Sequence, residues 1–336
     1  MKKNTRFWFA LFFVLILCAG CSTGKQAGKE AADAGGRKLS VVRVPKKSGS
    51  LTPDIFEVGN SQGFFVKHGI KLEIVGSVPS SQAIAAVVAD KVDVTHPSHI
   101  NRTIAGISAG AKVKAVVGGQ ETSKRVPHMV GVIRKDSPIK GAKDLLGKKI
   151  GITQTGGCHE YTPYAYLQKN GVENPKSKVE IIILPEKQLQ QALRQNDLDL
   201  IMLHKIPAEI DKDGEFKVLF SDYDIWGTIG GATPLFFSDK FIKSNPETVR
   251  NFVAATAETL NWANANPEKA MEISAKAAGG GLKGQDMTEG YYAPDGIIKE
   301  ETITVWIDLL REFDEIKGDV KASDIYTNEF NPYYKK

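Results

Sequence analysis

The sequence predicts an α/β protein of two lobes, each a mixed sheet flanked by helices, joined by two chain crossings. Three observations predict it. Short β-branched runs alternate with helical patterns from Lys38 to about residue 222, which argues for parallel or mixed sheets covered by helices. The alternation falls into two blocks, roughly 38–122 and 128–222, and turns helical beyond Phe236. With 336 residues the chain is too long for one small core and suits two domains of ordinary size.

The start reads MKKNTRFWFALFFVLILCAGCSTGK. A basic beginning, an apolar run from Phe7 to Leu17 and then small residues make a secretory signal. The run is short of the roughly 20 residues of a membrane span. Cys18-Ala19-Gly20-Cys21 looks like a bacterial lipobox, with a plain signal peptide as the alternative. Residues 1–20 are therefore expected to be a lipoprotein signal and Cys21 the lipidated residue. The mature chain is expected outside the cytoplasm, anchored to the bacterial membrane by its N-terminal lipid. Residues 21–37 are small and polar with no apolar period, as in a flexible tether. With Cys18 removed and Cys21 acylated, Cys158 stands alone and no intramolecular disulfide forms. Lys2, Lys3 and Arg6 carry three of the +5 charges, leaving about +2 on the rest. No basic run interleaves with aromatics, so nucleic acid is not an expected partner.

The elements follow in order. Residues 39–44 are a strand, 51–68 a mixed helical stretch stopped by Gly69, and 70–75 a strand. Residues 80–90 are a helix capped by Ser80. Residues 92–96 are a strand. The next helix begins at Pro97 and ends on Gly110, with His99 in its first turn. Strands 112–118 and 128–135, a short helix near 141–146 and strand 148–153 come next. A helix from Cys158 to Asn170, strand 179–184, helix 186–195, strand 198–203, helix 207–212 and strand 216–221 complete the second block. Helices 239–243, 246–265, 267–278 and 299–317 close the chain, with a glycine loop at 278–284. If these helices return to the first block, the chain crosses twice, through loops near 120–127 and 227–236. Lobe 1 then comprises 38–125 and 236–336, and lobe 2 comprises 126–235.

Asp136-Ser137-Pro138-Ile139-Lys140, leading into Asp144-Leu145 and Gly147-Lys148-Lys149-Ile150, is the most specific local pattern. Together with VPSSQAIAAVVADKVDV and DLDLIMLHKIPAEI it resembles the nitrate/sulfonate/taurine class of ABC-transporter substrate-binding lipoproteins. That superfamily also holds thiamine-pyrimidine binding and synthesis proteins. The resemblance covers most of 38–278. It implies a type II periplasmic-binding-protein-like fold, a bound small solute and an ABC permease as partner. Two loops depart from the pattern, at Pro79-Ser80-Ser81-Gln82 and at Gly156-Gly157-Cys158.

Open α/β sheets bind ligands beyond the carboxyl ends of their strands. At Thr155, Gly156, Gly157, Cys158 and His159 a strand ends, glycines turn and a helix begins, leaving free N–H groups for an anion. Ser80, Ser81 and Gln82 offer hydroxyls and amides on the other block, although Ser caps helices anyway. His96, His204 and Lys205 end strands; Ser48 and Ser50 follow the first strand; Trp226, beside the glycine-rich crossing, is a candidate apolar wall.

The expected function is capture of a small anionic solute, sulfonate-, taurine- or nitrate-like, by a monomer without cofactor, metal or catalysis. Cys158 and His159 are neighbours on a helix and poorly placed as a nucleophile–base pair, while Cys158 with His96 or His204 across the cleft stays open. Two rival solutes also stay open: an aromatic or pyrimidine compound, and a metal or metal chelate held by His96, His99, His128, His159, His204 and Cys158.

Overall fold

The structure is a computed structural model and describes residues 30–32, 35–47, 52–212 and 214–335. The expected signal, Cys21, Ser48 and Ser50 lie outside the described residues. Ten strands are present among those described: β1 Glu30–Ala32, β2 Lys38–Lys46, β3 Ile70–Ser77, β4 Val113–Gln120, β5 Val130–Arg134, β6 Lys149–Ile152, β7 Glu180–Ile183, β8 Leu200–Leu203, β9 Phe216–Ser221 and β10 Thr233–Ser238.

β2 pairs in parallel with β3, and β4 pairs antiparallel with β10. Residues 93–95 join these two pairs. The Asp93 N–H donates to the Arg43 carbonyl at 2.9 Å, the Thr95 N–H donates to the Phe236 carbonyl at 3.0 Å, and Val94 bridges Phe237. The expected strand 92–96 is thus only a single bridge. Side chains take the ladder's places: the Asp93 carboxylate accepts the Arg43 amide and the Thr95 hydroxyl accepts the Phe236 amide. The resulting order is β3, β2, 93–95, β10, β4. The second sheet runs β7-β6-β8-β5-β9, with β6 parallel to β7 and β8, and β5 antiparallel to both its neighbours. With the one antiparallel strand of each sheet set aside, the remaining four strands follow the same order, 2-1-3-4, and in each sheet the antiparallel strand lies next to an edge. This is a mixed α/β architecture of two like sheets.

Other differences from expectation have local causes. Residues 30–32, expected as tether, pair with β2 as β1. The second crossing is shorter than 227–236, because β10 already begins at Thr233 and a five-residue helix, Asp222–Trp226, precedes it. Ser80 caps nothing: Ser80–Gln82 is a 3₁₀ turn, and the helix starts at Ala83. His99 is an N-cap with extended backbone, ahead of helix Ile100–Ser108 and not within it. The Ser98 hydroxyl bonds back to the His96 carbonyl, so Pro97 and Ser98 form a bend before the helix.

One apolar core packs Val42, Val44 and Val117 against Phe56, Phe65 and helix Pro246–Ala265. Another packs Val132, Ile201 and Leu203 against Leu189 and Leu193. A third runs from Ile100 and Ala115 to Ile150 and Tyr161, with Trp306 of helix Glu301–Glu312 at 1% exposure. The two crossings touch where this last core meets them. A Cβ on Gly231 would lie 2.3 Å from Thr122 Oγ1 and 2.5 Å from His128 Cβ, so only glycine lets the strands approach this closely. Asp222, 1% exposed, ties them further: its Oδ1 accepts the Met129 N–H at 3.1 Å and its Oδ2 accepts the Thr122 hydroxyl. Among the described residues no helix is long and apolar enough to cross a membrane.

Candidate functional site

A cleft of about 870 Å³ opens where segments leave the carboxyl ends of six strands. Lys46 and Lys47 end or follow β2, Ser80 and Ser81 follow β3, and Gln120 and Glu121 end or follow β4. Thr153 to His159 follow β6, Glu186 follows β7, and His204 follows β8. Segments from both sheets thus face one gap, as strand-end geometry favours. Ser80, Ser81, His96, Gly157, Cys158, His159 and His204 line it. Gln82, Thr155, Gly156, Lys205 and Trp226 are not among its lining residues. Trp226 packs on Trp306, with ring centroids 5.3 Å apart, so it serves the core. Thr155 and Gly156 act through their carbonyls, which accept from Arg102 at 3.1 Å and from the Asn101 side chain at 3.0 Å.

Arg102, Gln120, Glu121, Tyr291 and Tyr292 also line the cleft and were missed in the sequence, while Lys46 and Lys47, read there as exposed lysines after the first strand, line it too. Arg102 sits on a helix whose apolar pattern hides a cleft-facing position, and Tyr291 and Tyr292 arrive from a coil about 170 residues beyond the end of β4. Tyr292 is brought in by Asn264, whose side chain both donates to its carbonyl and accepts its N–H.

At the floor, the Gly157 backbone is extended and Gly156 turns at φ +68°, launching helix Cys158–Lys169 with Cys158 and His159 leading. The Gly156 N–H is already taken by the Glu160 carboxylate at 2.7 Å. That acidic group neutralises part of the helix-end field reserved for an anion. Around Cys158 stand four imidazoles. Cys158 Sγ lies 3.4 Å from His204 Nε2, His159 Nε2 lies 3.3 Å from His204 Nδ1, and His99 Nε2 lies 2.6 Å from His128 Nε2. His128 and His204 meet edge to face at 4.7 Å.

Water reaches these rings only from the cleft, and protein atoms surround the rest. This desolvation pushes His99 down to about 3 and His204 to about 4, and drives His128 and His159 well below their ordinary value. The rings are neutral at pH 7. His96, against Phe56 at 4.7 Å, is likewise pushed to about 3 by burial and by Lys47. Lys47 donates to the Thr52 and Pro53 carbonyls, and burial lowers it to about 8. Cys158 and His204 do form a contact, both from the second sheet and so on one side of the cleft, yet burial raises the thiol to about 12. It is a protonated thiol and a poor nucleophile.

The repeated strand order and the gap between the two sheets define a periplasmic-binding-protein fold. The family described as NMT1/THI5 like matches residues 55–270, and the chain belongs to it. A search of curated protein sequences found no match. Three solved structures share the fold. The periplasmic aliphatic sulphonate binding protein SsuA from Escherichia coli is 18% identical, covering 86% of this chain and 98% of that one, with TM-score 0.68. The periplasmic nitrate-binding protein NrtA from Synechocystis is 11% identical, covering 87% of each chain, with TM-score 0.65. A desulfurization enzyme, DSZB, is 14% identical, covering 86% of this chain and 97% of that one, with TM-score 0.61.

Proposed function

We propose that this chain is the extracytoplasmic solute-binding component of an ABC importer, tethered through a lipid on Cys21 and acting as a monomer. One small solute enters the cleft between lobe 1 (38–125 and 236–336) and lobe 2 (126–235), and the closed form is offered to the permease. The observation that carries this reading is the shared gap: Ser80 and Ser81 from one sheet and Gly157, Cys158, His159 and His204 from the other line the same 870 Å³ cleft. Such a volume falls within the range of small-molecule sites. Closure by population shift would follow from contacts made to both walls at once.

Among solutes, a small organic or inorganic anion suits the upper wall, where Arg102 and Lys46 supply charge and Ser80 and Ser81 supply hydroxyls. The neighbours SsuA and NrtA, named for sulphonate and nitrate binding, support the same class. Cys158 holds its proton and is a poor nucleophile, which supports the binder reading. Thermal shift and calorimetry with methanesulfonate, taurine and nitrate test the proposal. One of them should bind saturably with one-to-one stoichiometry and lose affinity in R102A. Absence of saturable binding by all three would refute the anionic reading.

A further inference from the structure

We propose that the cleft floor is a transition-metal site, in which Cys158 and surrounding imidazoles hold one divalent ion of the zinc class. The inference rests on the cleft being the solute site, and it identifies what the floor contributes there.

Two donor triads are present: His99, His128 and Cys158, and Cys158, His159 and His204. Within each, one ligand atom per residue lies within 4.8 Å of the others, and Cys158 is common to both. A tetrahedral zinc site, with bonds of about 2.0–2.3 Å, needs donors separated by roughly 3.3–3.6 Å. The contact between Cys158 Sγ and His204 Nε2, at 3.4 Å, already has that spacing; His159 touches the other nitrogen of that ring, Nδ1, at 3.3 Å, and reaches the same ion by closing in from within the 4.8 Å of the triad. The His99–His128 contact, at 2.6 Å, is a ring-to-ring hydrogen bond, and an ion would replace its proton.

Hydrogen bonding among neutral rings does not account for the cluster. Nδ1 of His99 and Nδ1 of His159 are buried and make no well-formed hydrogen bond among the described residues, with the Asn101 side chain and the Met202 backbone as polar neighbours. A buried polar atom left unpaired costs about 1–3 kcal/mol. No carboxylate forms an ion pair with any of these four rings among the described residues; the ion pairs of histidine there involve His68 and His96. Neutral imidazole and a thiol that loses its proton to solvent as it binds the ion are the donor types that select zinc, copper or nickel over magnesium or calcium. The floor also opens to the cleft, so a coordination position remains for an anion resting on the Arg102 wall.

The test titrates the full chain, stripped with chelator, with Zn²⁺ and with Co²⁺. One equivalent should bind, release protons, and give with Co²⁺ the near-ultraviolet charge-transfer band of a thiolate ligand. Fluorescence should change too, because the His99 ring lies 5.5 Å from Trp306. C158S should abolish the band and weaken Zn²⁺ by at least about 10–100-fold, the loss that even an outer-shell change brings. H99Q and H204Q, checked for unchanged melting without metal, should each weaken it as well. No saturable one-equivalent binding, or binding unaltered in C158S, overturns the site. An anion that binds equally well with and without Zn²⁺, while Zn²⁺ itself does not bind, overturns the metal inference and leaves the importer reading intact. Zn²⁺ binding with no response to any anion sustains the site and refutes the anionic solute.

Discussion

Asp222 provides the sharpest energetic test of the contact between the two crossings. Desolvation raises its carboxyl from 3.8 to about 7, against hydrogen bonds from Thr122 and the Met129 amide that favour the charged form. In the unfolded chain it titrates at its ordinary value. Between about pH 4 and 7 the folded state therefore binds more protons than the unfolded state, and stability contributed by the protonated acid is lost as pH rises. A shift of about three units corresponds to about 4 kcal/mol at 1.36 kcal/mol per unit. D222N keeps the shape, with an amide oxygen for the Met129 N–H and an NH₂ for the Thr122 hydroxyl, and removes the titration. The assay is urea unfolding of both proteins at pH 4.5, 6 and 8. Taking the difference between the two cancels every other titrating group. D222N should gain on the native protein by a few kcal/mol between pH 4.5 and 8, in an S-shaped rise. A difference that stays flat with pH would show that Asp222 ionises normally in the fold, and the desolvation argument would fail.

Three further outcomes are expected. G231A should lower the melting temperature, since its methyl group would meet Thr122 and His128 inside contact distance, an overpacking cost of about 1–3 kcal/mol. His96, held neutral by burial with its pKa near 3, should help destabilise the protein as pH falls below about 6.5, because the unfolded state then takes the proton first; H96F should unfold less steeply between pH 6.5 and 4.5 by circular dichroism. C21S, expressed in a bacterium, should move from the membrane fraction to the soluble exported fraction, and an unchanged distribution would count against lipid anchoring.

Much of the fold was legible because strand and helix periods differ and the chain alternates them cleanly. Strand 216–221 and helices 246–265 and 267–278 coincide with their expected bounds. The segment 92–96 did not, because Asp93 and Thr95 substitute side-chain oxygens for ladder partners, which no period reveals. β10 was hidden in a glycine-rich stretch, whose glycines serve close packing between the crossings. At the site, strand-end logic located Ser80, Ser81, Gly157, Cys158 and His204. It did not find Arg102, which points across the gap from a helix, nor Tyr291 and Tyr292, fastened by Asn264 from a distant coil. It named His128 among the metal candidates without any means of seeing it meet His99, since 29 residues and a crossing separate them.

The contact at Gly231 has a mechanical consequence. Two backbone straps that press flank to flank, with a carboxylate clasping both, are stiff against shearing and against twisting apart. They bend most readily as a pair. A swing of one sheet relative to the other would thereby be channelled into a single rocking direction, and it would carry with it His128, seated on the strap beside Gly231.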